Sequence, residues 1–390
     1  MKHLQNMILF SCALAFSAIL VEGLFYFLNR GPAPPEIQVV EGSPNAERLD
    51  FFHYHPVYGY SGLPNVSKQF YGKVITHNSK GMRGPEIEYE AGDNVSRVAF
   101  IGDSQTWGWA VNDYETIPFF TNQILNNNSK KVAYEALNFG ATGYGIDQSY
   151  LRFISEGLRY KPDYVVLTYF ADNDIWETGA AEAWGVEKPF FFEKDDGSFC
   201  VSNIPPKRAS GWPSDNLEKK FDFDSLHFNV AGIELNFTDT QVVQYFKNRS
   251  LNTSLFGSWG SDNSEPLKAI NKHIGCVQNE PAPEIAHWED KVQLAIKLID
   301  RIRAAVEERG GKFMVVTKPL EKDFRNHSME YNYRTVLSQL NELGIEVIDL
   351  YHVFENADAS PESLYQGAGH LTPYGNQLVA KNVATRIRRY

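Results

Sequence analysis

The sequence predicts an α/β fold in which a parallel sheet is covered by helices on both faces. Three observations carry this expectation. From Arg97 onward, short apolar runs alternate with segments of helical spacing. The run Tyr164–Tyr169 (YVVLTY) is continuously β-branched and aromatic, as in a strand buried on both faces. Every strand-like run after the first is reached through a helix-like segment, and a parallel pair needs such a crossover.

The elements follow in order. Arg97–Ile101 reads as the first strand, Glu115–Leu125 as a helix and Ala133–Asn138 as the second strand. Asp147–Leu158 has helical spacing and is closed by Lys161-Pro162 before the third strand. Glu284–Glu308 is a strong amphipathic pattern ended by Gly310-Gly311. Phe313–Thr317 reads as a strand, Tyr331–Leu343 as a helix and Glu346–Leu350 as a strand. Pro373–Arg388 is the last helix, with Pro373 suited to its first turn.

Two stretches break the pattern. Residues 176–282 carry few periodic segments, many aromatics and Pro205-Pro206, and read as an insertion or cap, far longer than an ordinary connection. Phe51–Glu90 is Tyr- and Gly-rich and reads as short strands and loops. The main domain is therefore expected in two parts, 51–175 and 283–390.

The N-terminus differs in kind. Met7–Leu28 is apolar with Glu22 as its one charge, and at ~1.5 Å per residue a helix of that length crosses a hydrocarbon core. No small-x-small site follows the run, so an uncleaved signal-anchor over residues 1–30 is expected, with the main domain extracytoplasmic. Residues 31–50 are Pro- and Gly-rich and read as a linker.

Composition narrows the function classes. The chain has 390 residues and a net charge of −11, without a basic stripe, which argues against nucleic acid as a partner. There are 3 cysteines: Cys12 in the apolar run, and Cys200 and Cys276 in the insertion. The last two are either one disulfide or two buried thiols, depending on compartment. No zinc-ligand spacing occurs, and the glycines near 140–145 do not make a dinucleotide fingerprint, so neither a metal nor a cofactor is expected.

Chemistry-bearing residues gather where the strands end. Gly102-Asp103-Ser104-Gln105 follows the first strand, and Phe139–Gly143 the second. Ala171-Asp172-Asn173-Asp174 follows the third, and Gly369-His370-Leu371 precedes the last helix. In open parallel sheets ligands bind outside these carboxyl ends. Acyl transfer needs a serine activated by a base, a histidine to take its proton, and preorganised donors for the oxyanion. Taken singly, Ser104 is a helix cap, Asn173 an Asx-turn residue, Gly143 a positive-φ glycine and His370 a loop histidine. The four in sequence make the catalytic reading the better one.

These motifs resemble the blocks of the SGNH (GDSL) hydrolases. Gly102-Asp103-Ser104 resembles the first block, the Gly143 turn the second, Asn173-Asp174 the third and His370 the histidine of the last. Asn78–Gly84, together with the N-terminal anchor, is similar to membrane-tethered bacterial members. The resemblance implies a flavodoxin-like three-layer α/β/α sandwich. It implies Ser104 as nucleophile, His370 as base, and the Ser104 N–H, the Gly143 N–H and the Asn173 amide as oxyanion hole, with Asp103 shaping the turn. The implied substrate is an ester-bearing glycan or lipid, attacked by water or by an acceptor hydroxyl.

The chain departs from that pattern at the acid. The family carries Asp three residues before the histidine, and here the position is Gly367. Three readings follow: a backbone carbonyl orients His370; a displaced acid such as Glu362, Asp358 or Glu355 replaces it; or the site is a non-catalytic glycan-binding module.

Overall fold

The computed structural model describes residues 50–206 and 270–390, apart from 128, 130, 171–172, 195, 271, 275, 279–284, 286, 328–330, 358 and 368. It also describes two short strands between them, His227–Val230 and Ile233–Asn236, which pair with each other as an antiparallel hairpin. The expected anchor (1–30) and linker (31–50) lie outside the described residues, apart from Asp50. Among the described residues no helix is long and apolar enough to cross a membrane.

The described residues of Glu41–Trp212 and Asn263–Tyr390 form one compact unit. At its centre are five parallel strands: β1 (Val95–Gly102), β2 (Ala133–Asn138), β3 (Tyr164–Phe170), β4 (Lys312–Lys318) and β5 (Glu346–Asp349). Their spatial order is β2-β1-β3-β4-β5, the flavodoxin-like order. Val98, Val165, Val166, Leu167, Met314, Val315 and Val316 are fully buried, which is why these strands read as continuous apolar runs rather than alternating ones.

Helices cover both faces. α2 (Ile117–Asn127) packs beside α7 (Pro373–Ile387), while α3 (Ile146–Ser155), α5 (Trp288–Glu307) and α6 (Tyr331–Glu342) pack together elsewhere. Each helix places its apolar stripe inward; α5, for example, buries Val292, Ala295, Leu298, Ile299, Ile302 and Val306. Two shorter helices matter for the site. α1 (Ser104–Trp107) follows β1 without a loop, and α4 (Asn173–Glu177) follows β3.

Phe51–Glu90, expected as short strands and loops, holds two hairpins, Phe52–His55/Gly59–Gly62 and Ser67–Phe70/Lys73–Thr76. Its role lies in what it holds. Phe51, Phe52 and Phe70 set their rings around Trp107 at 5.6, 5.7 and 5.9 Å. Trp107 donates its indole N–H to His77 Nε2 (3.0 Å). Arg83, also buried, bonds to Asp113 (2.8 Å) and to the carbonyls of Trp107 (3.0 Å), Gly108 and Val111 (2.6 Å). The segment thus fastens the end of α1, whose first residue is Ser104.

Part of the expected insertion is ordered on this unit. Phe190–Glu193, Phe199–Ser202 and Val277–Gln278 make a three-stranded sheet, and Cys200 and Cys276 form a disulfide within it. Lys188 reaches Asp147 of α3 (2.7 Å), both fully buried. A buried pair of this kind is stabilising only as a pair; removing one member leaves an uncompensated charge.

Candidate active site

The strand order reverses between β1 and β3, since β2 lies on one side of β1 and β3 on the other. Ligand crevices form at such points. Ser104 stands at the end of β1 and Asn173 at the end of β3, on either side of it.

The turn into α1 is tight. Gly102 has φ +144, and a Cβ there would come within 2.6 Å of Thr106 Oγ1 and 2.7 Å of the Thr168 carbonyl. Only glycine fits. Asp103 caps α1, its carboxylate accepting from the Gln105 N–H (2.9 Å). The loop after β2 runs alongside, with the Phe139 N–H donating to the Phe100 carbonyl (2.8 Å) and the Ala141 N–H to the Gly102 carbonyl (3.2 Å). Gly143 sits in this buried loop at φ +72. The loop is pinned further by Tyr60, which donates to the Thr142 carbonyl (2.6 Å), and by Arg152, which donates to the Phe139 carbonyl (3.1 Å).

His370 reaches the same point from 266 residues away in the chain: its Nε2 lies 2.8 Å from Ser104 Oγ. Its Nδ1 lies 3.1 Å from the Gly367 carbonyl. With Nδ1 donating to that carbonyl, Nε2 carries the lone pair that faces the serine hydroxyl. The backbone of Gly367 therefore fixes the tautomer that the missing carboxylate would otherwise fix. Trp109 stacks on the imidazole at 5.0 Å and 15° between planes. Burial depresses the His370 pKa to about 4, the Gly367 hydrogen bond opposing this and the Lys318 charge adding to it.

Two of the three candidate displaced acids are engaged elsewhere. Glu362 is directed to Arg325 and lies on the exposed surface. Glu355 is 3.3 Å from His352. Asp358 lies outside the described residues. The non-catalytic reading required Ser104 and His370 to be out of reach, with nothing behind the imidazole, and the geometry is the opposite.

Asn173 is in the site, but its amide is engaged differently from the expectation. Nδ2 donates to Asp103 Oδ2 (3.3 Å) and to Glu177 Oε2 (3.1 Å). Both amide hydrogens are thus directed to carboxylates. Below the serine lie three buried acids, Asp103, Asp174 and Glu177. Burial raises the pKa of Asp103, and burial plus repulsion from Asp103 and Glu177 raises that of Asp174 well above the ordinary carboxylate range. Lys318, at the carboxyl end of β4, is the cation opposed to Asp103 and Asp174; its Nζ lies 3.6 Å over the Phe170 ring.

Sequence reasoning missed Trp109, Lys318 and Glu177. Lys318 did leave a signal, a lysine closing the apolar run Phe313–Thr317 at its carboxyl end. Trp109 left none, because its stacking depends on a contact across most of the chain.

Comparison with known proteins addresses the half of the site that holds the base. Residues 284–390, which carry β4, β5, α7 and His370, match the family model described as SGNH hydrolase-like domain, acetyltransferase AlgX. Over those residues the chain is similar to the SGNH hydrolases, whose blocks its Ser104, Gly143, Asn173 and His370 motifs resemble. Among solved structures it is similar to a G-D-S-L family lipolytic protein of Desulfitobacterium hafniense, at 13% identity over 74% of this chain and 98% of that one, with a TM-score of 0.38. It is similar also to the acetyl xylan esterase AlAXEase (15%, 75% and 99%, 0.39). A two-domain esterase active on acetylated mannans is a third (8%, 76% and 49%, 0.38). No curated protein matches the chain.

Proposed function

We propose that this SGNH protein transfers or hydrolyses O-acetyl esters of an extracytoplasmic glycan through a Ser104–His370 dyad. The observation that carries the reading is the relay of 2.8 Å from Ser104 Oγ to His370 Nε2 and 3.1 Å from Nδ1 to the Gly367 carbonyl. Ser104 Oγ attacks the acetyl carbonyl while its proton passes to Nε2. The C–O bond to the sugar then breaks, and the imidazolium returns the proton to the departing oxygen. Water or a second hydroxyl, deprotonated by the same Nε2, attacks the acyl-enzyme and frees Ser104.

The oxyanion would be met by the backbone N–H groups of Ser104 and Gly143. Asn173 joins them by exchanging its longer bond, the 3.3 Å contact to Asp103, for the developing charge. Acetyl as the acyl group and a hydroxyl as acceptor are supported by the family model, whose description names an acetyltransferase. The Cys200–Cys276 disulfide supports an oxidising, extracytoplasmic compartment, as does the apolar run at Met7–Leu28.

The test is hydrolysis of p-nitrophenyl acetate by the chain lacking residues 1–30. Ser104→Ala and His370→Ala should each lower kcat/KM by roughly 10³-fold or more. Variants equal to the parent would sink the dyad. Release of free acetate without an acceptor marks a hydrolase; turnover that requires an added oligosaccharide marks a transferase.

A further inference from the structure

The Trp176–Trp184 pair has no part in the dyad, yet it is tied to it. Trp176 and Trp184 are 36% and 40% exposed, with ring centroids 5.2 Å apart and planes at 55°. Trp176 lies on α4, three residues after Asn173, so their Cα atoms are only ~5 Å apart along the helix. Trp184 lies at the tip of the hairpin Glu182–Ala183/Val186–Glu187, with φ +57, and is followed by Gly185 at φ +74. Two successive positive φ values are those of a tight primed turn, where Asn or Gly is the favoured first residue. A bulky aromatic there is disfavoured, and such outliers concentrate at ligand sites.

The indole of Trp184 is also fixed. Its Nε1–H donates to Glu177 Oε1, while Oε2 of the same buried carboxylate accepts from Asn173. One side chain therefore holds Trp184 and the candidate oxyanion residue together. Two indoles inclined to each other, partly exposed and rigidly held, offer apolar faces beside polar edges. That is the chemistry of a sugar ring, whose C–H faces are apolar and whose hydroxyl rim is polar. A flexible or purely apolar ligand would not call for a fixed indole orientation.

We propose that Trp176 and Trp184 form a subsite for a pyranose ring of the glycan chain, next to the residue whose ester meets Ser104. The inference rests on the esterase or transferase reading above and adds where the polymer is gripped. Glu177 acts as the positioning residue that keeps subsite and oxyanion residue in register.

The experiment measures binding apart from catalysis. The Ser104→Ala chain is titrated calorimetrically with xylohexaose and mannohexaose. At least one should bind, and adding Trp176→Ala should weaken it tenfold or more, with Trp176→Phe retaining most of the affinity. In the catalytically intact chain, Trp176→Ala should lower kcat/KM on acetylated polysaccharide at least fivefold more than on p-nitrophenyl acetate, chiefly through KM. Failure of both probes to bind, affinity unchanged by Trp176→Ala, or equal losses on both substrates would each overturn the subsite. Turnover surviving Ser104→Ala would instead defeat the dyad and leave the binding result intact.

Discussion

At the scale of single residues, what stands behind His370 most shapes the chemistry: among the described residues it is the Gly367 carbonyl and not an acid. A carboxylate in that place does two things: it fixes the tautomer, and it stabilises the imidazolium. The Gly367 carbonyl supplies the first at 3.1 Å. The second has a candidate in Trp109, whose ring lies nearly parallel to the imidazole at 5.0 Å. A cation over an indole face gains roughly 1–2 kcal/mol when partly desolvated. Trp109→Leu is therefore expected to lower kcat about tenfold with little change in KM, and Trp109→Phe to fall between; an unchanged kcat in both would remove Trp109 from the account. The pH profile offers a second check. His370 is a base only when neutral, and burial depresses its pKa to about 4. In the free enzyme kcat/KM should climb as pH rises through about 4 and be flat by pH 6. A profile still climbing through 6.5 would mean that the imidazole titrates as it does in water.

At the scale of elements, α1 is too short to hold itself in place. Four residues make one turn, and isolated turns are unstable. Its position comes from outside, from the aromatic rings of Phe51, Phe52 and Phe70 and from Arg83. Arg83→Met would leave the carbonyls of Trp107, Gly108 and Val111 and the Asp113 carboxylate without their partner. A loss of ~3 kcal/mol in urea unfolding is expected, since breaking a buried charged network is costly. His77 adds a pH dependence. Its Nε2 accepts from Trp107, so it must be neutral, and burial depresses its pKa to about 3. Between that value and 6.5 the unfolded chain binds a proton that the folded one refuses. Stability is therefore full above pH 6.5 and declines as pH falls toward 3, by up to ~1.4 kcal/mol per unit. His77→Gln should flatten the dependence of Tm on pH over that window.

At the scale of the whole molecule, the sheet order brings three separated loops to one crevice, and the disulfide closes a long excursion from it. Cys200 and Cys276 are 76 residues apart in sequence. By the loop-entropy argument the bond contributes at most ~4–5 kcal/mol. Reduction, or Cys200→Ser with Cys276→Ser, should lower Tm by several degrees while p-nitrophenyl acetate turnover at 25 °C persists. Loss of turnover on reduction would mean that the excursion itself builds the site.

The sequence alone determined the sheet. Strands buried on both faces need unbroken apolar runs, and helices with one buried stripe need the 3.6-residue period, so both signals are local; the strands were legible within a residue or two, while helix ends drifted further, Asp147–Leu158 against Ile146–Ser155 and Glu284–Glu308 against Trp288–Glu307. That Ser104 and His370 work together was readable only through the resemblance of their motifs to the SGNH blocks, and the structure places His370 Nε2 2.8 Å from Ser104 Oγ. Only the tertiary structure decided what stands behind His370. Glu362 is near it in sequence but pairs with Arg325, whereas a backbone carbonyl, which every residue has, carries no sequence signal. The same holds for Trp109 over the imidazole, Arg83 under α1 and Glu177 between Asn173 and Trp184. Each is a contact between segments far apart in the chain or a choice among several nearby partners, and its geometry exists only once the core has packed.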